Sequence, residues 1–288
     1  MNRRTFIAGS VGTGALALTA GATSGQAGAK PRAGRGLKLG TVTYNLARSW
    51  DIETIIKNCT ETGFQGVELR TTHAHGVEIS LPAAKREEVR KRFADSPVTL
   101  VGLGTTCEYH SADPAVVKKN IEETKAWVKL AKDVGAGGVK VRPNGLVPEV
   151  PEDQTLEQIG RALNECAAFG ADYGVPIRLE VHGRETARFP RIKKIMQFAT
   201  HPNFRICWNC NPQDLEDGGI RTNFEIVKDR IGLVHMRDLY EDYPYSELFQ
   251  MLRGIDYQGF CLAEIPETSD PIRVMKYFRT LFEAQQAC

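Results

Sequence analysis

Past its N-terminal segment the sequence has no apolar run that reaches the ~18 residues of a membrane-spanning helix. It has no G-x-G-x-x-G turn after its first strand-like segment. Asn45-Leu46-Ala47 stand there instead, so no phosphate cradle of the dinucleotide-binding type is visible. It also lacks a net charge in its body. Residues 1–29 hold Arg3 and Arg4 and no Lys, Asp or Glu; without those two arginines, 35 basic residues face 35 acidic ones. A neutral body argues against bulk electrostatic binding to nucleic acid. The composition, 42% hydrophobic and 25% charged with 27 Gly and 14 Pro, excludes a disordered, collagen-like or disulfide-stapled chain. At 288 residues the chain is long enough to bury a core without staples.

Cysteine is present but not in a pattern that does chemistry. There are seven, an odd number, and all follow the N-terminal segment. Cys207-Trp208-Asn209-Cys210 has the C-x-x-C spacing, yet Cys207 ends an apolar strand pattern rather than opening a helix, where a thiolate would be stabilised. No second pair completes a zinc site. Neither redox nor zinc use is expected of these thiols.

The first 29 residues read as an export signal. A short basic region precedes an apolar, Gly/Ala-rich stretch from Phe6 to about Ala20, and Ala27-Gly28-Ala29 fits an A-x-A cleavage site. The run Asn2-Arg3-Arg4-Thr5-Phe6-Ile7 resembles a twin-arginine signal. That resemblance implies a protein folded before export to the periplasm or outside the cell, with no stable membrane anchor after cleavage. An uncleaved anchor is the alternative. Residues 30–36 read as a linker, and residues 37–288 as the folded body.

Within the body, strand-like and helix-like patterns alternate eight times. Strands are expected at residues 37–44, 66–70, 98–103, 139–141, 176–181, 204–209, 232–236 and 260–265. Helices are expected at 52–61, 83–93, from Asp113-Pro114 to Gly135, at 155–173, 190–199, 223–229 and 246–253, and after Asp270-Pro271. Asp before Pro supplies an N-cap and a proline at the first helical position. The apolar side of the last helix is expected to be Met275, Phe278, Leu281 and Phe282. Eight such units in about 250 residues match an α/β fold built as a single (β/α)8 barrel. In that fold chemistry gathers at the C-terminal strand ends.

The late strand ends are polar. The fifth strand ends Leu179-Glu180-Val181-His182, the sixth Cys207-Trp208-Asn209, the seventh carries His235-Met236-Arg237-Asp238, and the eighth Leu262-Ala263-Glu264. A lone strand-end Glu is usually an ion-pair partner and a lone His a satisfied core residue. Four in succession on strands that converge make a mixed oxygen and nitrogen set. Glu180, Asn209, His235 and Glu264 are therefore the candidate ligands for one divalent ion, Mn, Mg, Co or Zn.

The body resembles the xylose isomerase-like superfamily of sugar isomerases and epimerases, TIM barrels that include sugar epimerases, dehydratases and apurinic endonucleases. Four stretches carry the resemblance: Gly63-Phe64-Gln65-Gly66-Val67-Glu68-Leu69, Leu179-Glu180-Val181-His182, Val234-His235-Met236-Arg237-Asp238, and Gly259-Phe260 through Glu264. Their order and spacing along residues 37–285 matter more than any one of them. One departure stands out. Where the family commonly has Asp-x-x-His after the sixth strand, this chain has Asn209-Cys210-Asn211-Pro212. An amide oxygen can ligate but brings no charge, so weaker metal binding or a changed metal preference is expected. Asn211 or Asp214 could take the place of the missing acid if the loop turns differently.

The resemblance implies proton transfer beside a carbonyl, with Glu180 and Glu264 as catalytic bases on a metal-held hydroxy-ketone. His182, Arg237 and His110 are the candidate substrate-binding residues. Arg237 has the alternative of pairing with Asp238 or Glu241, and His110, like His73 and His75, that of an ordinary loop histidine. The substrate is expected to be a small free sugar, keto-sugar or glycoside. The same enolisation could instead expel a leaving group, making a lyase or dehydratase. A sugar-binding barrel with a decayed metal site is the non-enzymatic alternative. A nucleic-acid substrate is not expected, given the neutral body and the Pro at 212.

Overall fold

Each strand of the body can be buried on both sides only if its two faces meet different surroundings, and the chain supplies this by closing the strands on themselves. The computed structural model describes residues 36–287. Its strands are β1 (Lys38–Val42), β2 (Gly66–Arg70), β3 (Thr99–Glu108), β4 (Val139–Arg142), β5 (Ile177–Glu180), β6 (Phe204–Trp208), β7 (Ile231–Met236) and β8 (Phe260–Ala263). They are parallel, run in chain order and close with β1 against β8, which is the expected (β/α)8 barrel. The helices between and after them are α1 (Ile52–Thr62), α2 (Ala83–Ala94), α3 (Pro114–Val134), α4 (Glu152–Asp172), α5 (Phe189–Phe198), α6 (Gly219–Val227), α7 (Tyr245–Gly254) and α8 (Pro271–Ala287). The expected export signal, and all of the expected linker but Gly36, lie outside the described residues. None of the described helices is long and apolar enough to cross a membrane.

Helix ends follow local chemistry. Asp51 caps α1 by accepting from the Thr54 amide at 2.8 Å, and Asp113 caps α3 by accepting from Ala115 at 2.8 Å. Gly63 and Gly135 end these two helices in the left-handed region, at φ 77° and 76°. Three expectations need correction. β3 runs five residues past Leu103, because its pairing to β4, irregular after Gly104, resumes at Glu108 opposite Arg142. α6 starts at Gly219 rather than Asn223 and passes into a 3-10 turn at Lys228–Arg230. Leu281 is exposed, while Met275, Phe278 and Phe282 carry the buried side of α8.

The apolar core is split by the barrel wall. The larger part lies between strands and helices. The smaller part plugs the barrel interior with Val42, Val101, Cys207, Leu233 and Leu262, against which Phe260 packs. Side chains alternate across a strand, so residues two apart share a face. The interior face therefore steps from Cys207 to Asn209, from Leu233 to His235 and from Leu262 to Glu264. An apolar floor thus gives way to polar groups at the C-terminal end.

Candidate active site

Four late strands bring the candidate ligands together. Glu180 ends β5 and His235 lies in β7, both buried; Asn209 directly follows β6 and is also buried, and Glu264 directly follows β8 and is 24% exposed on its side chain. The Glu264 amide donates to the Met236 carbonyl at 2.8 Å, which fixes where the strand turns its carboxylate inward. His235 Nδ1 stands 3.7 Å from Glu180 Oε1 and 3.3 Å from Glu264 Oε1. One ligand atom from each of Glu180, His235 and Glu264 lies within 4.8 Å of the others. That spacing suits donors around a single divalent ion.

Asn209 fits the same centre. Its Oδ1 is buried with no hydrogen-bond partner, while its amide nitrogen donates to Asn211 Oδ1 at 3.4 Å. Both ring nitrogens of His235 also lack a hydrogen-bond partner. Orphaned buried acceptors are costly unless something else satisfies them. A cation among Glu180, Asn209, His235 and Glu264 would do so. Asp214 does not replace the missing acid. Its Oδ2 accepts from the Asn211 amide at 2.9 Å and from the Tyr243 hydroxyl at 2.7 Å, in a fully buried position. Asn211 is also engaged, donating to the Val181 carbonyl at 2.6 Å.

Two residues behind this centre had been given no role from the sequence. Glu68, in β2, is fully buried and holds Oε1 3.4 Å from His235 Nε2. It orients the imidazole so that Nδ1 faces the two glutamates, the usual duty of a carboxylate behind a ligating histidine. Gly102 and Gly104 of β3 leave room for it; a Cβ at Gly104 would come 2.8 Å from Glu68 Oε1. Lys140, in β4, is buried and donates to Glu180 Oε2 at 2.6 Å. Glu180 thus offers one oxygen to a lysine and the other to the centre. The sequence did contain a sign of both residues: a charged side chain between branched apolar ones, Val67-Glu68-Leu69 and Val139-Lys140-Val141, on strands buried on both faces.

Electrostatics follow from this packing. Burial alone would push the Glu180 carboxyl up, but Lys140 and His235 outweigh it and hold it well below the usual range. Burial would likewise discharge Lys140, yet Glu180 and Glu68 raise it, so the ammonium persists. Burial opposes charge on His235 too, and the neighbouring groups, Cys207 and Glu68 foremost, lift it well above its ordinary value. The carboxylates are the effective source, since burial pushes the Cys207 thiol itself up and leaves it neutral. His182 is lowered, chiefly by burial, and stays neutral.

Glu68, Lys140, Glu180, Asn209 and Glu264 line a cavity of about 520 Å³ at the C-terminal end of the barrel. His182 and Arg237, two of the candidate substrate-binding residues, are in its wall. His182 Nδ1 meets Asn144 Oδ1 at 2.8 Å, which leaves Nε2 as an acceptor. Arg237 donates to Asn211 Oδ1 at 3.3 Å and has no ion pair with Asp238 or Glu241. His110 is not in the wall; its Nδ1 lies 3.8 Å from Glu108 Oε2. His73 meets the Thr43 hydroxyl at 2.9 Å and His75 the Arg70 carbonyl at 2.8 Å, so both serve loop structure. The six cysteines among the described residues are all buried and free, Cys207 and Cys210 included.

The closed barrel, with its polar late strand ends, is the architecture of a known family. The xylose isomerase-like TIM barrel model matches residues 56–281, and the chain belongs to that family. No curated protein matches the sequence. Among solved structures, an L-ribulose 3-epimerase superposes with a TM-score of 0.74 at 17% identity, covering 87% of this chain and 95% of the other. The 3-keto-D-glucoside 4-epimerase YcjR from E. coli, in its apo form, gives 0.72 at 16%, covering 86% and 99%. The probable 3-DHS dehydratase AsbF of Bacillus anthracis, involved in petrobactin synthesis, gives 0.68 at 16%, covering 86% and 99%. At these identities the likeness is one of fold.

Proposed function

We propose that this chain is a divalent-metal-dependent isomerase or epimerase of a sugar or keto-sugar, working by proton transfer beside a carbonyl. The observation that carries this reading is the convergence of Glu180 and Glu264, from β5 and β8, on His235 Nδ1 in an open cavity. Bound by Glu180, Asn209, His235 and Glu264, a divalent ion supplies Lewis-acid polarisation of adjacent hydroxyl and carbonyl oxygens.

The chain's own residues do the rest. One of Glu180 and Glu264 takes the proton from the carbon beside the carbonyl, and the other returns one. Lys140 keeps Glu180 ionised and fixes its orientation. Arg237 and His182 bind the substrate from the cavity wall, His182 accepting from a hydroxyl. Elimination is the second reading, because the same bases serve it and the similar folds include a probable dehydratase as well as epimerases.

Metal analysis of purified protein, with deuterium uptake from D2O into a panel of keto-sugars, tests the proposal. About one ion per chain and exchange at the α carbon are expected. Exchange accompanied by loss of a β substituent would indicate elimination. A metal-free protein that exchanges nothing would be a binding barrel. We propose further that residues 1–29 direct export, which places the reaction in the periplasm or outside the cell.

A further inference from the structure

The charges of the cavity divide into two tiers. The carboxylates of Glu68, Glu180 and Glu264 crowd around His235 at its base. The cations lie around them, and two are already matched: Lys140 pairs with Glu180, and Arg142 with Glu108. Arg70, Arg184 and Arg237 also line the cavity, and none of the three has an ion-pair partner among the described residues. They come from three separate places, the end of β2 and the loops after β5 and β7.

Two of these guanidiniums are steadied without being neutralised. Arg70 sits 5.1 Å from the centroid of the Tyr44 ring, and Arg237 holds Asn211. Ring faces and amide oxygens orient a guanidinium but leave its charge in place. The body as a whole is charge-neutral, so a group of unpaired arginines around one cavity is local. A neutral sugar would give these guanidiniums hydroxyls to hydrogen-bond but no charge to pair with.

We infer that the substrate carries an anionic group, which Arg70, Arg184 and Arg237 receive at the rim while its hydroxy-carbonyl end reaches Glu180 and Glu264. This rests on the reading of the site as a sugar isomerase or epimerase and narrows its substrate class to acidic sugars. A carboxylate and a phosphate share the chemistry that an arginine fork recognises. The carboxylate is the better match. Barrel phosphate sites are usually built from the loops after strands seven and eight, with backbone amides at a short helix. Here the residues after β7, Arg237-Asp238-Leu239-Tyr240, and after β8, Glu264-Ile265-Pro266-Glu267, contain no glycine and several acids.

Calorimetric titration of the full metal-bearing protein with D-fructuronate, D-fructose 6-phosphate and D-fructose, at low and high salt, tests the inference. The acid is expected to bind at least about tenfold more tightly than fructose, the scale of one charge-assisted contact. Salt should narrow the gap by screening the exposed rim. Arg184→Gln should lower affinity for the acid about fivefold or more and leave fructose within about twofold. Tighter binding of the phosphate would assign the anionic group to that source. Equal affinities for acid and neutral sugar, no binding of either anion, or an Arg184→Gln loss shared equally by fructose would overturn the inference. Deuterium exchange on the same panel separates the two failures. Exchange of fructose without preference for the anions keeps the isomerase reading and ends this one. Tight anion binding with no exchange anywhere does the reverse.

Discussion

Glu180 presents Oε2 to Lys140 and Oε1 to His235, and the two contacts predict different defects when removed. Glu180→Gln and Glu264→Gln keep size and an oxygen donor but abolish the base. Each should lower turnover by at least ~10², the usual scale for a positioned acid or base. Near-normal turnover in either variant would move the chemistry elsewhere. Lys140→Met leaves the base in place but removes the cation that holds it ionised against burial. The Glu180 carboxyl then rises, so the acidic limb of kcat/KM against pH should move upward. Lys140→Arg, which keeps the charge, should move it less. Asn209 makes a third case. Asn209→Asp should tighten metal binding and Asn209→Ala should weaken it, since hard divalent ions prefer carboxylate to amide oxygen. Metal dissociation constants that stay unchanged across the three folded proteins would remove Asn209 from the ligand set.

At the scale of elements, the loop after β6 owes its shape to a buried acid. Asp214, in a 3-10 turn at Pro212–Leu215, accepts from Asn211 and Tyr243, and burial pushes its carboxyl up to about 7. The unfolded chain releases that proton near its ordinary value of 3.8. Folded protein therefore holds an extra proton between those values, and stability from this group falls as pH rises from about 4 to about 7. Asp214→Asn keeps an accepting oxygen without the titration. Urea unfolding at pH 5 and pH 8 should show the variant losing less stability across that interval, by on the order of 2 kcal/mol. An identical loss in both proteins would show that Asp214 does not titrate there.

The elements themselves were legible because their signals are local: Asp113 before Pro114 as a cap, Gly135 as a stop, and apolar patterns between such signals. β3 outruns its expected end because pairing to β4 resumes at Glu108, a long-range contact with no local signal, and α6 begins at Gly219 although glycine is a poor helix former. Glu180, Asn209, His235 and Glu264 were legible because they stand at strand ends. Glu68 and Lys140 sit one layer deeper, where a charged residue in a strand resembles an exposed one until the barrel closes around it. His110 follows the long β3, and those extra residues, unseen in the sequence pattern, carry it past the cavity wall.

Across the whole molecule, the proposed ligands stand at the ends of β5, β6, β7 and β8, so an ion held by them would tie half the barrel to one centre. On that proposal, treatment of the purified protein with a chelator should lower its melting temperature. The stabilisation lost is about 2.7 kcal/mol for an ion present at a hundred times its dissociation constant. A melt indifferent to chelator would mean that no ion is held there. Export belongs to this scale too. Changing Arg3 and Arg4 together to lysine should strand the protein inside the cell, and unaltered export would dismiss the twin-arginine reading. The buried, unpaired thiols bear on the same question. The described barrel uses no disulfide, so it can be completed in a reducing cytoplasm and needs no oxidant afterwards. A reductant should leave its melting temperature where it was. On the proposed export route, the barrel and the ion proposed for it would both be settled on the side of the membrane where the chain is made, before it crosses.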